Sequence, residues 1–323
     1  MFDLLLKGGT VIDPSQGLNK QLDLAINGNR ISRLAPSIPE SQASQVMDAT
    51  GKIVAPGLID IHTHVYHPGR NINHPDMAGV RAGVTTMVDA GGSGSGNFQD
   101  FCDVVLPQAQ TRVYSFLSIF QDRTIQSSPT EFELDVEGVV RVARENPDLV
   151  KGIKVIVSPR TVQAVGLKHV EAAKTAAQKA GLRVMMHIGD IGPKRQIATP
   201  PETVARAVSM LGSGDMVTHI FTPLTGAALD GEGNLLPHLI EAQQRGVFMD
   251  TAYGDFNFGW ERADAVLDQG LIPDTIATDV EIHAGDGTRK LSERGLIEYT
   301  AFFLKLGFSL EEVVRMTTTT PAQ

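Results

Sequence analysis

Two imidazoles one residue apart close the apolar stretch Ala55-Pro56-Gly57-Leu58-Ile59-Asp60-Ile61-His62-Thr63-His64. In an extended strand alternate side chains share a face, so His62 and His64 can reach one metal ion from the same side. A His-x-His pair alone is as often an ordinary polar strand end, and its company decides the matter. Four later apolar segments also carry a cation-binding residue type: Lys154 in 152–157, His187 closing 182–187, His219 closing 215–219 and Asp279 closing 274–279. A set of imidazoles and a carboxylate suits a divalent cation, whose chemistry is the activation of water for hydrolysis.

These residues need a scaffold that brings distant segments together. From Gly57 onward the pattern predicts strands at about 57–61, 84–89, 113–119, 152–157, 182–187, 216–219, 247–250 and 275–279. Between them it predicts helices at about 74–82, 98–109, 131–146, 168–180, 201–211, 234–245, 257–269 and 291–306, with a last one at 309–317. Strand and helix in alternation imply a parallel sheet, and eight such units predict an α/β fold of the TIM-type (β/α)8 barrel kind. In that fold every strand end emerges on one face, where the scattered ligands converge.

Residues 1–55 read differently, as short β runs at 3–6, 22–26 and 30–34 separated by Gly8-Gly9, Asp13-Pro14 and Asn27-Gly28-Asn29. Asn-Gly between apolar runs signals a hairpin, so a small antiparallel β domain is expected at 1–55, followed by the barrel at 56–323. The Gly- and Ser-rich stretch Gly91 to Asn97 follows the second barrel strand. It is either a flexible loop or a turn whose free N–H groups cradle an anionic group, with Asn97 where the next helix begins.

At 323 residues with 42% hydrophobic content the chain can bury a large core. A formal net charge of -9 and no basic run argue against nucleic acid or an anionic membrane surface as partner. One cysteine, Cys102, excludes an intrachain disulfide and suits a reducing compartment, and the acid in the short run Met1 to Lys7 does not fit a secretory signal. A cytoplasmic location, a small-molecule substrate and a homo-oligomeric assembly are the expectations.

With these residues in view, the chain resembles the amidohydrolase superfamily, in the branch of dihydroorotase, hydantoinase and deacetylase-like metal hydrolases. The resemblance rests on Pro56-Gly57-x-x-Asp60-x-His62-x-His64, Gly83-Val84-Thr85-Thr86-x-Val88-Asp89, Gly152-x-Lys154-Val155, the ends at His187 and His219, and Thr278-Asp279. It implies two divalent metal ions, most often Zn2+, with His62, His64 and Asp279 on one and His187 and His219 on the other. Lys154 would bridge them as a carbamate, because an unmodified ammonium has no lone pair to offer two dications. Lys151 is the alternative, but it would enter its strand at the opposite end of the barrel.

The same resemblance makes a hydroxide shared between the ions the nucleophile and Asp279 both ligand and catalytic general base and acid. It also points to His283, four residues beyond Asp279, as a substrate-binding histidine. Tyr66, His67, Gly69 and Arg70 lie on the loop after the first strand, and Ser158 and Arg160 on the loop after the fourth. A cation on either loop can pair with a substrate carboxylate. Asn97, His67 and Arg160 therefore join His283 as candidate substrate-binding residues, while His74, His169 and His238 read as surface positions beside helices.

The resulting expectation is a hydrolase that cleaves an amide or ester bond of a small carboxylate-bearing molecule, as deacetylase-like members do. A cyclic amidase of the dihydroorotase or hydantoinase kind is the alternative, and a non-catalytic barrel acting in assembly is a third reading. Relatives commonly continue beyond the Thr-x-x-Pro-Ala motif that Thr318 to Ala322 resembles, supplying strands that complete a small β-sandwich. The N-terminal unit is accordingly expected to be sandwich-like and incomplete at the C-terminus.

Overall fold

The structure, a computed structural model, describes residues 1–67, 75–122, 132–190, 198–254, 256–281 and 295–323. The N-terminal strands are β1 (Phe2–Asp13), β2 (Leu18–Asn27), β3 (Arg30–Ala35), β4 (Ala43–Asp48) and β5 (Ile53–Val54). They form one five-stranded sheet in the order β3-β2-β1-β4, with β5 also on β1. The Asn27-Gly28-Asn29 turn does join an antiparallel pair, β2 to β3, and β1 runs antiparallel to β2.

The expected all-antiparallel unit is nevertheless corrected, since β4 and β5 both lie parallel to β1. Nearly every residue of β4 is exposed, so Ala43 to Asp48 lacks the alternating apolar pattern that marks a half-buried strand. The sheet has a small core of Leu5, Ala25 and Ile38.

The second sheet carries the candidate ligands. Its strands are β6 (Leu58–His64), β7 (Val84–Ala90), β8 (Arg112–Ser118), β9 (Val150–Val157), β10 (Arg183–Ile188), β11 (Met216–Thr218), β12 (Phe248–Asp250) and β13 (Val280–Glu281). All are parallel, in the order β12-β11-β10-β9-β8-β7-β6-β13. Thr275 bridges Asp250 on one edge while Val280 and Glu281 pair with Thr63 and His64 on the other, so segment 275–281 touches both edge strands. Ile59, Val88, Phe116, Met185 and Met216, from five different strands, line one cavity of about 580 Å³ near the amino ends of the strands. The chain is thus an α/β protein whose candidate ligands lie on or beside the strands of one parallel sheet.

The helices are α1 (Phe98–Val104), α2 (Val136–Glu145), α3 (Pro159–Val165), α4 (Lys168–Ala180), α5 (Pro201–Ser209), α6 (Pro237–Gln244), α7 (Trp260–Asp268), α8 (Gly295–Lys305) and α9 (Leu310–Thr317). In α4, Val170, Ala173, Ala176 and Ala177 recur at helical spacing and are buried, and Gly181 ends the helix at φ 69. α9 starts with a reciprocal cap between Ser309 and Glu312 and is tied to β2 by Asn19 donating to Glu311. None of the described helices is long and apolar enough to cross a membrane.

Four expected elements differ. The helix at 74–82 is two 3-10 turns, Pro75–Met77 and Val80–Ala82, broken at Gly79 and closed by Gly83 at φ 83. The helix at 98–109 stops at Val104 and resumes as a 3-10 turn around Pro107. The predicted strand 275–279 is reduced to a bridge at Thr275 and single bonds from Tyr253 N to Ala277 O and Gly254 N to Thr278 O, and Asp279, at φ 54, takes the chain out of the extended region. α3 was read as loop, although Ser158 caps it with Thr161 and Pro159 occupies its first turn.

One buried carboxylate fixes the loop that follows β6. Asp89 Oδ2 accepts from Val65 N at 3.0 Å and Tyr66 N at 3.1 Å, and Oδ1 accepts from Gly92 N at 2.6 Å. Asp89→Ala strands three backbone donors, so the expected loss is about 3 kcal/mol or more. Urea unfolding of the two proteins side by side measures it, and a difference near zero would contradict this role.

Candidate metal centre

Strand alternation aims His62 and His64 the same way, and both meet the carboxylate of Asp279. His64 Nε2 lies 3.1 Å and His62 Nε2 3.4 Å from Asp279 Oδ1. The ligand atoms of these three residues all lie within 4.8 Å of one another. Lys154, 2% exposed on β9, brings Nζ to 2.9 Å from His62 Nε2 and 3.3 Å from Met185 Sδ. His219 stands beside His62 with ring centres 4.8 Å apart, and His187 is 4.2 Å from His219. Six side chains from five separate segments therefore share one site.

Lys151 is elsewhere. It is exposed, donates to Pro147 O at 3.0 Å and lines the cavity near the amino ends of the strands. Only two residues separate the lysines along β9, with Lys151 exposed near its start and Lys154 buried further along.

Two of the imidazoles, His62 and His219, are held neutral. Burial drives the His62 pKa well below the usual histidine range, with Lys154 and the neighbouring imidazoles adding to it. His219 is pushed down to about 4 by burial, against the upward pull of Asp279. Only a neutral imidazole has a lone pair to give a cation. His219 Nδ1 donates to Ala252 O at 2.9 Å, which leaves Nε2 as the lone-pair nitrogen. That Nε2 is buried with no hydrogen-bond partner among the described residues. His187 Nε2 donates to Gly189 O at 3.1 Å, which makes Nδ1 its lone-pair nitrogen. This donor set and the orphaned His219 nitrogen fit a cation such as zinc.

The backbone is strained where it presents these groups. His219 has φ 70, Ala252 φ 30 and Asp279 φ 54, and among the described residues these are the non-glycine ones at positive φ. Each such residue costs on the order of 1–3 kcal/mol and persists only where its surroundings fix it. Asp60 supplies part of that fixing at Asp279: Oδ2 accepts from Thr278 Oγ1 at 2.7 Å and Oδ1 from Thr278 N at 3.1 Å. Burial pushes its carboxyl up to about 7, opposed by those hydrogen bonds. Asp279 N itself donates to His62 O at 2.7 Å.

Sequence reasoning gave Asp60 no role and missed Asn257 and Gly254 altogether. Asn257 Nδ2 donates to Asp279 Oδ2 at 2.9 Å and so turns Oδ1 toward the histidine pair. A Cβ on Gly254 would stand 2.5 Å from Asp279 Oδ2, and the residue holds φ 49. Gly254→Ala is therefore expected to displace the carboxylate and weaken zinc binding roughly tenfold, the scale of losses on disturbing a ligand's support. A zinc competition titration decides it, and an unchanged affinity would show that the carboxylate has room to move. No periodicity or motif marked these loop positions, whose meaning depends on the fold.

The candidate substrate residues fare unevenly. His67 lies beside the cluster, its ring centre 6.0 Å from that of His64. Asn97 is committed within its own loop: Oδ1 accepts from Gly94 N at 2.8 Å and Nδ2 donates to Asp122 Oδ1 at 3.3 Å. The glycine-rich turn is likewise no open cradle, since Gly92 N goes to Asp89 and Gly96 N to Gln121 O. Arg160 sits in α3 with its guanidinium 5.4 Å from the Phe132 ring centre.

His169, expected at the surface, is fully buried in α4 and bonds Gly166 O through Nδ1 at 2.8 Å. His238 is half-buried in α6. Gly69, Arg70, His74 and His283 lie outside the described residues.

Known proteins place this arrangement. Residues 45–111 match the model of the Amidohydrolase family. A deacetylase of Agrobacterium fabrum is 27% identical over 269 residues, 81% of this chain and 64% of that protein, so the match spans less than two thirds of that relative's length. A deacetylase of Enterococcus faecalis is also 27% identical, over all of this chain and 84% of its own length. The crystal structure of a dihydroorotase superposes with a TM-score of 0.82 at 25% identity, covering 99% of this chain and 82% of that one. In sequence and in fold, then, the chain is similar to members of the amidohydrolase superfamily.

Proposed function

We propose that the protein is a binuclear metal hydrolase that removes an acyl group, by amide or ester cleavage, from a small carboxylate-bearing molecule. The observation that carries this reading is the convergence of His62, His64, Lys154, His187, His219 and Asp279, with burial holding His62 and His219 neutral. The likeness to two deacetylases supports the acyl-transfer class. On this reading the parallel sheet is a (β/α)8 barrel spanning 56–323, with residues 1–55 as a separate small β domain.

His62, His64 and Asp279 would hold one divalent ion, most simply Zn2+, and His187 and His219 a second, with a carboxylated Lys154 between them. Such ions supply Lewis-acid polarisation of a carbonyl and lower the pKa of water to roughly 7. Asp279 Oδ1 faces the site and takes the proton from the attacking water. It returns that proton to the leaving nitrogen or oxygen as the carbon–heteroatom bond breaks. Asn257 keeps Oδ2 out of this exchange. His67, whose ring lies near that of His64, would bind the substrate, and Arg160, Asn97 and His283 complete the proposed set.

A cyclic amidase opening a dihydropyrimidine or hydantoin ring uses the same groups, and the likeness to a dihydroorotase favours it as the second reading. Metal analysis of the purified protein, followed by assays of N-acetyl amino acids and O-acetyl hydroxy acids beside dihydroorotate and hydantoins, separates the two. Turnover of the acetylated compounds is the expected result. Protein that stays metal-free and inert after zinc and bicarbonate are supplied would overturn both in favour of a barrel kept for assembly.

A further inference from the structure

Behind His62 lies a chain of hydrogen bonds that the proposed reaction does not use. His62 Nδ1 is 3.0 Å from Thr218 Oγ1, at the end of β11. Thr218 Oγ1 is 2.6 Å from Asp250 Oδ2, at the end of β12, and Thr275 Oγ1 donates to Asp250 Oδ1 at 2.8 Å. All four side chains are buried, Thr218 and Asp250 completely. The direct distance from His62 Nδ1 to Asp250 Oδ2 is 3.6 Å, too long for a hydrogen bond, so the hydroxyl is the link.

The protons in this chain can be counted. A carboxylate only accepts, so the single Thr218 proton goes to Asp250. Thr218 oxygen is then left with lone pairs alone, and His62 must supply the proton between them. A neutral imidazole with its proton on Nδ1 has its lone pair on Nε2, the nitrogen that faces Lys154 and Asp279.

We propose that Thr218 and Asp250 are positioning residues that fix His62 as the Nδ1-protonated tautomer, presenting the Nε2 lone pair to the cluster. The inference rests on the reading of His62 as a metal ligand, and it applies to the metal-free protein as well. Hydrogen-bonded supports of this kind orient ligating histidines and commonly carry tenfold to hundredfold in affinity. The link also ties β6 to β11 and β12 across the interior of the sheet, so the tautomer is set only in the folded chain.

The test uses the full chain labelled with 15N-histidine, with the His62 signals assigned by their loss in His62→Gln. In metal-free protein at pH 8, long-range proton–nitrogen spectra are expected to show His62 Nδ1 protonated and Nε2 bare. Thr218→Val removes the hydroxyl at nearly constant volume. It is expected to lose that signature and to weaken zinc binding by about tenfold to hundredfold in a chelator competition.

Thr218→Ser keeps a hydroxyl and is expected to retain both properties, which guards against a valine variant that fails to fold. Asp250→Asn puts an amide donor within reach of Thr218. If its nitrogen takes the Oδ2 position, the hydroxyl turns toward Nδ1 and the His62 proton moves to Nε2. Wild-type His62 protonated on Nε2, or Thr218→Val with both the wild-type tautomer and wild-type zinc affinity, overturns the proposal. A correct tautomer pattern in a protein that binds no zinc would instead leave the relay standing and remove the metal reading.

Discussion

Replacing Lys154 by Ala is expected to abolish hydrolysis, with a fall in kcat/KM of more than about a thousandfold, or about 4 kcal/mol of transition-state stabilisation. Lys154 Nζ is 2.9 Å from His62 Nε2 in the interior of the site, where a carboxylated amine would bridge two ions. Without it the two proposed ions would lose their shared ligand, and metal analysis should find the stoichiometry reduced from two to one or none.

The fold should survive the change. Burying an ammonium is costly, so its removal from metal-free protein is expected to leave thermal stability level or raised. Lys154→Arg should be as inactive as the alanine variant, because a guanidinium stays protonated and cannot be carboxylated. Acetate added to Lys154→Ala should return part of the activity by supplying a small carboxylate in the vacated space. Wild-type activity in either variant would sink the assignment of Lys154 and reopen the question of what joins the ions.

Asp279→Asn is the second large effect. The amide keeps the size of the side chain and one oxygen, so a metal ion can remain, but it cannot hold a proton in transit. Loss of a positioned general base typically costs 10²–10⁴-fold, and here about a thousandfold loss in kcat with little change in KM is expected. Steady-state kinetics and metal content measured on the same preparation separate the two duties of Asp279. A variant that keeps metal and full kcat would assign proton transfer to another group, with His67 the nearest candidate at the rim.

The metal-capable residues were legible because their positions follow from strand periodicity. His62 and His64 had to share a face, and His187, His219 and Asp279 had to emerge where parallel strands end. The choice of Lys154 over Lys151 was a matter of depth along one strand, and the structure puts Lys151 in contact with solvent at the far end.

Illegible were features set by contacts between distant segments. Asp250 ends a predicted strand as Asp279 does, but nothing local told that it would face Thr218 and Thr275 rather than a cation. Asn257 and Gly254 act on a carboxylate from another loop. The glycine-rich turn looked open because glycine spacing says nothing about Asp89 and Gln121, which take its N–H groups. β4 escaped because an exposed strand needs no apolar alternation.

The clasp between Asp60 and Thr278 joins positions 218 residues apart. Such a long chemical distance must be spanned before Asp279 can meet His62 and His64, and contacts of that range are made late and slowly during folding. Cation capture by this trio should therefore lag behind the formation of individual helices during refolding. A chain with its last stave unattached would keep most of its helical signal and yet have no reactive centre. Zinc uptake, followed in time, would then act as a clock for the docking of segment 275–281.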